Sequence, residues 1–196
     1  MNTIISRLYF RTVLQNEDMR SDLYRYYGAV SKEAFLRAIA DPGYYFTLHW
    51  RCAKAKKKTT LFGFLSRVFY KQAFVRFGYQ IPRAVAIGKG LRISHFGGLV
   101  INMEAVIGDN CYLSHGVTIG KTNRGVLKGV PMIGDYVWIG PGAVIVGAVT
   151  IGDNVLIAPN AYVNVSVPSN SIVIGNPAKI FSKENATEGY ITNVVV

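Results

Sequence analysis

Three histidines occur in this chain of 196 residues, and two of them stand in the same local setting. Ile93-Ser94-His95 and Leu113-Ser114-His115 each place an imidazole after an aliphatic residue and a serine, twenty positions apart. An imidazole titrates near neutral pH, so it can take the proton of a hydroxyl that attacks a carbonyl and return it to a leaving group. Paired imidazoles also suit a metal, but a metal site needs at least a third protein ligand. The remaining histidine, His49, lies far off in a helical stretch, so no metal is expected. The chemistry depends on whether the fold brings His95 and His115 together.

The elements that must do so follow a period of six. From Ile81 the chain reads IPRAVA, IGKGLR, ISHFGG, an extra pair LV, then INMEAV, IGDNCY, LSHGVT and IGKTNR. The insertion GVLKGVPM, residues 125–132, interrupts it, and IGDYVW, IGPGAV, IVGAVT, IGDNVL, IAPNAY and VNVSVP complete it. The first position is always Ile, Leu or Val, and the fifth is apolar or small except at Asn123. Neither a helix nor an alternating strand has this period; a solenoid of short strands and turns does. Three blocks make a triangular coil, and coils stack at about 4.8 Å. Both histidines are third in their blocks, on one face, one coil apart. Their separation is one coil of eighteen plus the pair Leu99–Val100, and Pro141 and Pro159 continue the column. The insertion leaves at a neighbouring corner, and a loop of that length on a compact solenoid points to binding. Asp109, Asp135 and Asp153 share one turn position and read as caps of their own turns. Cys111 falls on an inward position and reads as core.

Composition bounds the rest. Half of the residues are hydrophobic and 20 are glycine, which is a globular composition. No run is long enough to span a membrane, and MNTIISRLYF is too short and too soon charged for a secretion signal. The expected compartment is the cytoplasm. The net charge of +11 is concentrated in residues 1–80, which hold 14 Lys and Arg against 5 Asp and Glu. Residues 51–76 carry eight basic residues, no acid and interleaved aromatics. That stretch fits an anionic membrane surface, or a helix packing its aromatic side on a neighbour. No nucleic-acid motif accompanies it.

The hexapeptide blocks, the VWIG of Val137–Gly140 and the GNPAK of Gly175–Lys179 resemble the acyltransferases of the left-handed parallel β-helix fold. More narrowly, FGYQIPRAVAIGKGLRISHFGGLVINMEAVIG resembles serine O-acetyltransferases and their relatives that acetylate capsular and other surface polysaccharides. The resemblance covers residues 77–181. It implies a mainly β chain: a left-handed parallel β-helix over 81–181, a smaller α-helical region over 1–80 and a tail over 182–196. It also implies acetyl-CoA as co-substrate, a homotrimer, and His95 as general base with His115 as a second active-site group. Acetyl-CoA is expected against Gly120, Gly140 and Ala158, with Lys121 and Lys179 at its phosphates.

The chain departs from serine acetyltransferases at several matched positions. Gln80 stands where a carboxylate orients the base, and Ser94 where an acid precedes the histidine. Gly129 and Val130 replace the insertion's arginine and histidine, and Met103 replaces that histidine's glutamate partner. Asp41 matches another acid that contacts the amino acid. Asp41, Ser94 and Lys128 remain the expected acceptor contacts. On these departures the acceptor is expected to be a sugar hydroxyl of a surface polysaccharide or its lipid-linked precursor, placing the enzyme at the cytoplasmic membrane face. The alternatives are serine acetylation, N-acylation of an amino sugar, and a solenoid serving only as a scaffold.

Overall fold

Aliphatic residues every sixth position stack into a common interior, and the computed structural model, which describes residues 3–55 and 59–195, forms the expected parallel solenoid. One face consists of β1 (Tyr79–Gln80), β4 (Leu99–Ile101), β7 (Thr118–Gly120), β10 (Val144–Val146) and β13 (Tyr162–Val163). A second consists of β2 (Ala86–Ile87), β5 (Val106–Ile107), β8 (Met132–Ile133) and β11 (Thr150–Ile151). The third consists of β3 (Arg92–Ile93), β6 (Tyr112–Leu113), β9 (Trp138–Ile139), β12 (Val155–Ile157) and β14 (Ser171–Ile174), with β15 (Lys179–Ser182) antiparallel at its edge. The first and fifth block positions are buried nearly throughout, Cys111 among them. Burial pushes the Cys111 thiol up to about 12, so it is inert packing.

Register corrects the placement of the two extra residues. Arg92 pairs with Tyr112, twenty positions on, whereas Val100 pairs with Thr118, eighteen on. Leu99 and Val100 are therefore regular strand, and the extra residues lie in the corner between Ile93 and Leu99, where His95 sits. Met132 likewise belongs to β8 and not to the insertion, pairing with Val106 and Thr150. The aspartates cap differently from expectation. Asp109 Oδ1 accepts the N–H of Lys89, Asp135 Oδ1 that of Asp109, and Asp153 Oδ1 that of Asp135. Each ties its coil to the preceding one, because stacking brings the next coil's carboxylate closer than its own turn's amides.

A solenoid end exposes core and must be capped. Five helices do this: α1 (Thr3–Leu14), α2 (Glu17–Tyr27), α3 (Lys32–Ala38), α4 (Pro42–Ala55) and α5 (Leu61–Phe77). Asn16, Ser31 and Thr60 cap α2, α3 and α5 by accepting a backbone N–H three residues on. Phe46, Trp50 and Ala73 join the solenoid core, so α4 and α5 pack on the first coil, while Tyr9, Leu23, Phe35 and Tyr44 belong to a second core among the helices. Trp50 Nε1 donates to Pro82 O and the Tyr70 hydroxyl to Ile81 O. Arg51, 4% exposed, pairs with the buried Asp22 at 2.9 Å and with Asp18 at 3.1 Å, and also donates to Ile87 O. Asp22 in turn accepts the N–H of Leu91.

The tail runs back along the third face. Thr187 bonds Asn154, Tyr190 packs on Trp138 with ring centroids 4.8 Å apart, and Arg25 donates to Thr192 O. Asn110 both donates to Val195 O and accepts its N–H. Within the 51–76 stretch, Arg51 is thus internal, and Lys54 donates to Val85 O. Lys56, Lys57 and Lys58 lie outside the described residues, as does Val196 at the end of the tail. Among the described residues no helix is long and apolar enough to cross a membrane.

Candidate active site

The corner that follows the third face carries Ser94-His95, then Ser114-His115, then Gly140-Pro141, then Ala158-Pro159. Hydrogen bonds stack it: Gly116 N–H to Gly97 O, Gly142 N–H to His115 O and Asn160 N–H to Pro141 O. His95 and His115 are vertical neighbours, both exposed, with ring centroids 5.6 Å apart and planes at 88°. One ring presents its edge to the other, and both are open to a reactant.

The His95 corner is wider than those below it because of its two extra residues. His95 takes a left-handed backbone, φ 56°, which is uncommon for a side chain with a Cβ. The stacked left-handed residues of this corner are Gly98, Gly116, Gly142 and Asn160, so His95 is a second left-handed residue in the wider first corner. The chain just before the solenoid holds the wide corner. Gly97 N–H donates to Phe77 O, and the buried Tyr79 hydroxyl donates to His95 O at 3.0 Å. Neither contact was legible from the blocks of six, since 77–79 precede the repeat.

Asp41 is brought to this end of the column. Its Oδ1 accepts the N–H groups of Gly43 and Tyr44, starting α4. The helix start abuts the corner: a Cβ on Gly43 would lie 2.1 Å from Ile93 O, so only glycine fits. The Tyr26 hydroxyl both donates to Ile93 O and accepts Ile93 N–H. Burial, with the Asp41 charge adding to it, raises the pKa of the Tyr26 and Tyr79 hydroxyls. They remain neutral donors at the base of the histidine corner. The Ser94 hydroxyl is buried and without a hydrogen-bond partner.

The residues expected around acetyl-CoA divide between two corners. Gly140 and Ala158 stack in the histidine column, with Gly140 N–H bonded to Ile157 O and Ala158 N–H to Val173 O. Gly120 and Lys121 lie one corner further on, where Lys121 Nζ pairs with Glu104 at 2.7 Å. The insertion also stays at that corner. It forms a hairpin bridged between Thr122 and Gly129 and folds over the next coil, Ala148 N–H donating to Leu127 O. Lys128 is exposed on it, and Lys179 is exposed at the start of β15. Within one protomer the histidines and the hairpin are on different edges. Among the described residues there is no group of three or more His, Cys, Asp or Glu that could hold a metal.

Comparison with known proteins places this geometry. The family model described as bacterial transferase hexapeptide (six repeats) matches residues 131–165. The serine acetyltransferase of Helicobacter pylori (strain ATCC 700392 / 26695) is 36% identical over 143 residues, 73% of this chain and 83% of that protein. Probable serine acetyltransferase 5 of Oryza sativa subsp. japonica is 47% identical over 109 residues, 56% of this chain; the chain spans only about a third (32%) of that relative's length. Among solved structures, serine acetyltransferase from Brucella abortus strain S19 in complex with coenzyme A gives a TM-score of 0.72 at 29% identity, covering 90% of this chain and 73% of that one. The Neisseria gonorrhoeae enzyme in complex with serine gives 0.67 at 29% identity, covering 86% and 69%.

These relatives overturn the polysaccharide acceptor expected from the sequence. That expectation rested on side chains lost at Gln80, Ser94, Gly129, Val130 and Met103. The loss of some contacts at matched positions does not choose a different acceptor, and Asp41 still stands beside the histidine corner. The relatives carry serine in their names, and the Neisseria structure holds it.

Proposed function

Because the chain belongs to the serine acetyltransferase family, we propose that it transfers the acetyl group of acetyl-CoA to the hydroxyl of serine. The observation that carries this is the exposed His95–His115 pair at one corner of adjacent coils. A serine hydroxyl is a poor nucleophile at neutral pH. His95 takes its proton as the oxygen attacks the thioester carbonyl. The C–S bond of the tetrahedral intermediate then breaks, and the sulfur of CoA takes the proton from the imidazolium. The products are O-acetylserine and CoA, with no acyl-enzyme required. His115, edge to face with His95, orients the base or contacts the acceptor.

The working unit we propose is a homotrimer. Gly120, Lys121 and the 122–129 hairpin occupy a different edge from His95, Gly140 and Ala158, so acetyl-CoA touching both sets needs two copies side by side. Apolar Val106 and Met132, 39% and 56% exposed on the second face, suit contact between copies. The compartment we propose is the cytoplasm, where acetyl-CoA is made.

The test is thiol release from acetyl-CoA with serine, against a panel of other hydroxyl and amine acceptors, run alongside light scattering for mass. Release that depends on serine and on His95 supports the reading. Release with serine no faster than without acceptor overturns it.

A further inference from the structure

We propose that the outer face of α5 binds an anionic lipid surface. The argument begins with which residues of the helix are left uncovered. Gly63, Ser66 and Ala73 are buried, and they lie on one side of α5, toward the rest of the molecule. On the opposite side Leu61 is 75% exposed, Phe64 52%, Val68 47% and Val75 75%. At 100° per residue these four fall within a 60° arc, so they form a single apolar line along a helix about 25 Å long. Scattered exposed apolar residues need no explanation, but four in one line on one helix do.

Charge selects the occupant. Arg67 and Lys71 border the line on one side, and Gln72 and Arg76 on the other. Lys71, Gln72 and Arg76 are exposed. No Asp or Glu occurs anywhere in residues 51–76, and the chain as a whole carries +11. A helix with an apolar line and basic flanks is the form that lies in the headgroup layer, apolar side chains down and cations at the phosphates. A second copy of this chain laid on the same face would set Lys71 and Arg76 against their own like charges, with no acid in residues 51–76 to compensate. An anionic surface satisfies both features of the face at once. Neither His95 nor His115 belongs to the face, and α5 meets the His95 corner only at its last residue, Phe77, through its carbonyl oxygen.

The experiment is co-sedimentation of the full chain with vesicles of phosphatidylcholine alone, or with about a third phosphatidylglycerol. Binding is expected to the anionic vesicles only. It is expected to weaken when salt rises from about 0.1 M to about 1 M, since the Debye length falls from about 10 to about 3 Å. The variant Lys71→Glu, a charge reversal beside the apolar line, is expected to bind about tenfold more weakly, on the worth of basic residues near such a surface. Val68→Asp, Val75→Asp is expected to lose binding at either salt, while both variants keep the thiol-release rate of the parent. Failure of the parent to sediment with anionic vesicles overturns the proposal. So does binding that neither variant alters, or a drop in assembly mass in Val68→Asp, Val75→Asp without prior vesicle binding, which would assign the face to a second copy.

Discussion

The Tyr79 hydroxyl donates to the carbonyl oxygen of His95 at 3.0 Å, from a side chain that is wholly buried. In the coils below, the carbonyls of His115 and Pro141 accept an N–H from the next coil. The two extra residues of the first corner shift that ladder, so the N–H of Gly116 bonds Gly97 instead. The His95 carbonyl is left for Tyr79. The hydroxyl thus holds the peptide that carries the base, in a backbone conformation that costs energy to maintain.

Tyr79→Phe is therefore expected to lower kcat about fivefold, as one hydrogen bond of roughly 1 kcal/mol no longer holds the base in place. KM for acetyl-CoA is expected to stay within about twofold, because the residues expected to hold it lie in later coils. Steady-state thiol release checks both. A variant with a lowered melting temperature and an unchanged kcat would show that the bond serves only folding.

His95→Ala removes the proposed base and is expected to cost about a hundredfold to ten-thousandfold in kcat. His115→Ala is expected to cost less, because the base remains. Comparing thiol release of the two variants at saturating serine separates the roles. Equal losses would mean that the pair acts as one unit.

His49 makes the fold sensitive to acid. It is buried among Tyr9, Tyr45 and Phe69, its Nδ1 has no partner, and burial lowers its pKa to about 3. The folded chain keeps His49 neutral while the unfolded chain protonates it below about 6.5. Its contribution is intact above the unfolded value and is lost as pH falls toward 3, by up to about 1.4 kcal/mol per pH unit. Urea titrations between neutral pH and about pH 4.5 check this. His49→Phe is expected to flatten that part of the profile.

Arg51→Leu leaves Asp22 buried without its cation and is expected to destabilise by about 3 to 5 kcal/mol. A fall in melting temperature of roughly ten degrees is the expected readout. Arg51 also ties α4 to the first coil through Ile87 O, so the loss is expected to reach the His95 corner and reduce activity in the folded fraction.

The period of six determined the solenoid, its interior and the alignment of His95 with His115, because stacking a repeat on itself admits one register of inward positions. It could also place Pro141 and Pro159 beneath them. It could not show that the extra residues widen the histidine corner, since Leu99 and Val100 read equally well as a spare pair or as strand until their partners are known. Nor could it reveal Tyr79, Tyr26 and Gly43 at that corner, or the tail pinned by Asn110. Those contacts join segments distant in the chain through the docking of the helices on the first coil. Their partners depend on how separate elements meet in space, and no local pattern of residue types encodes that.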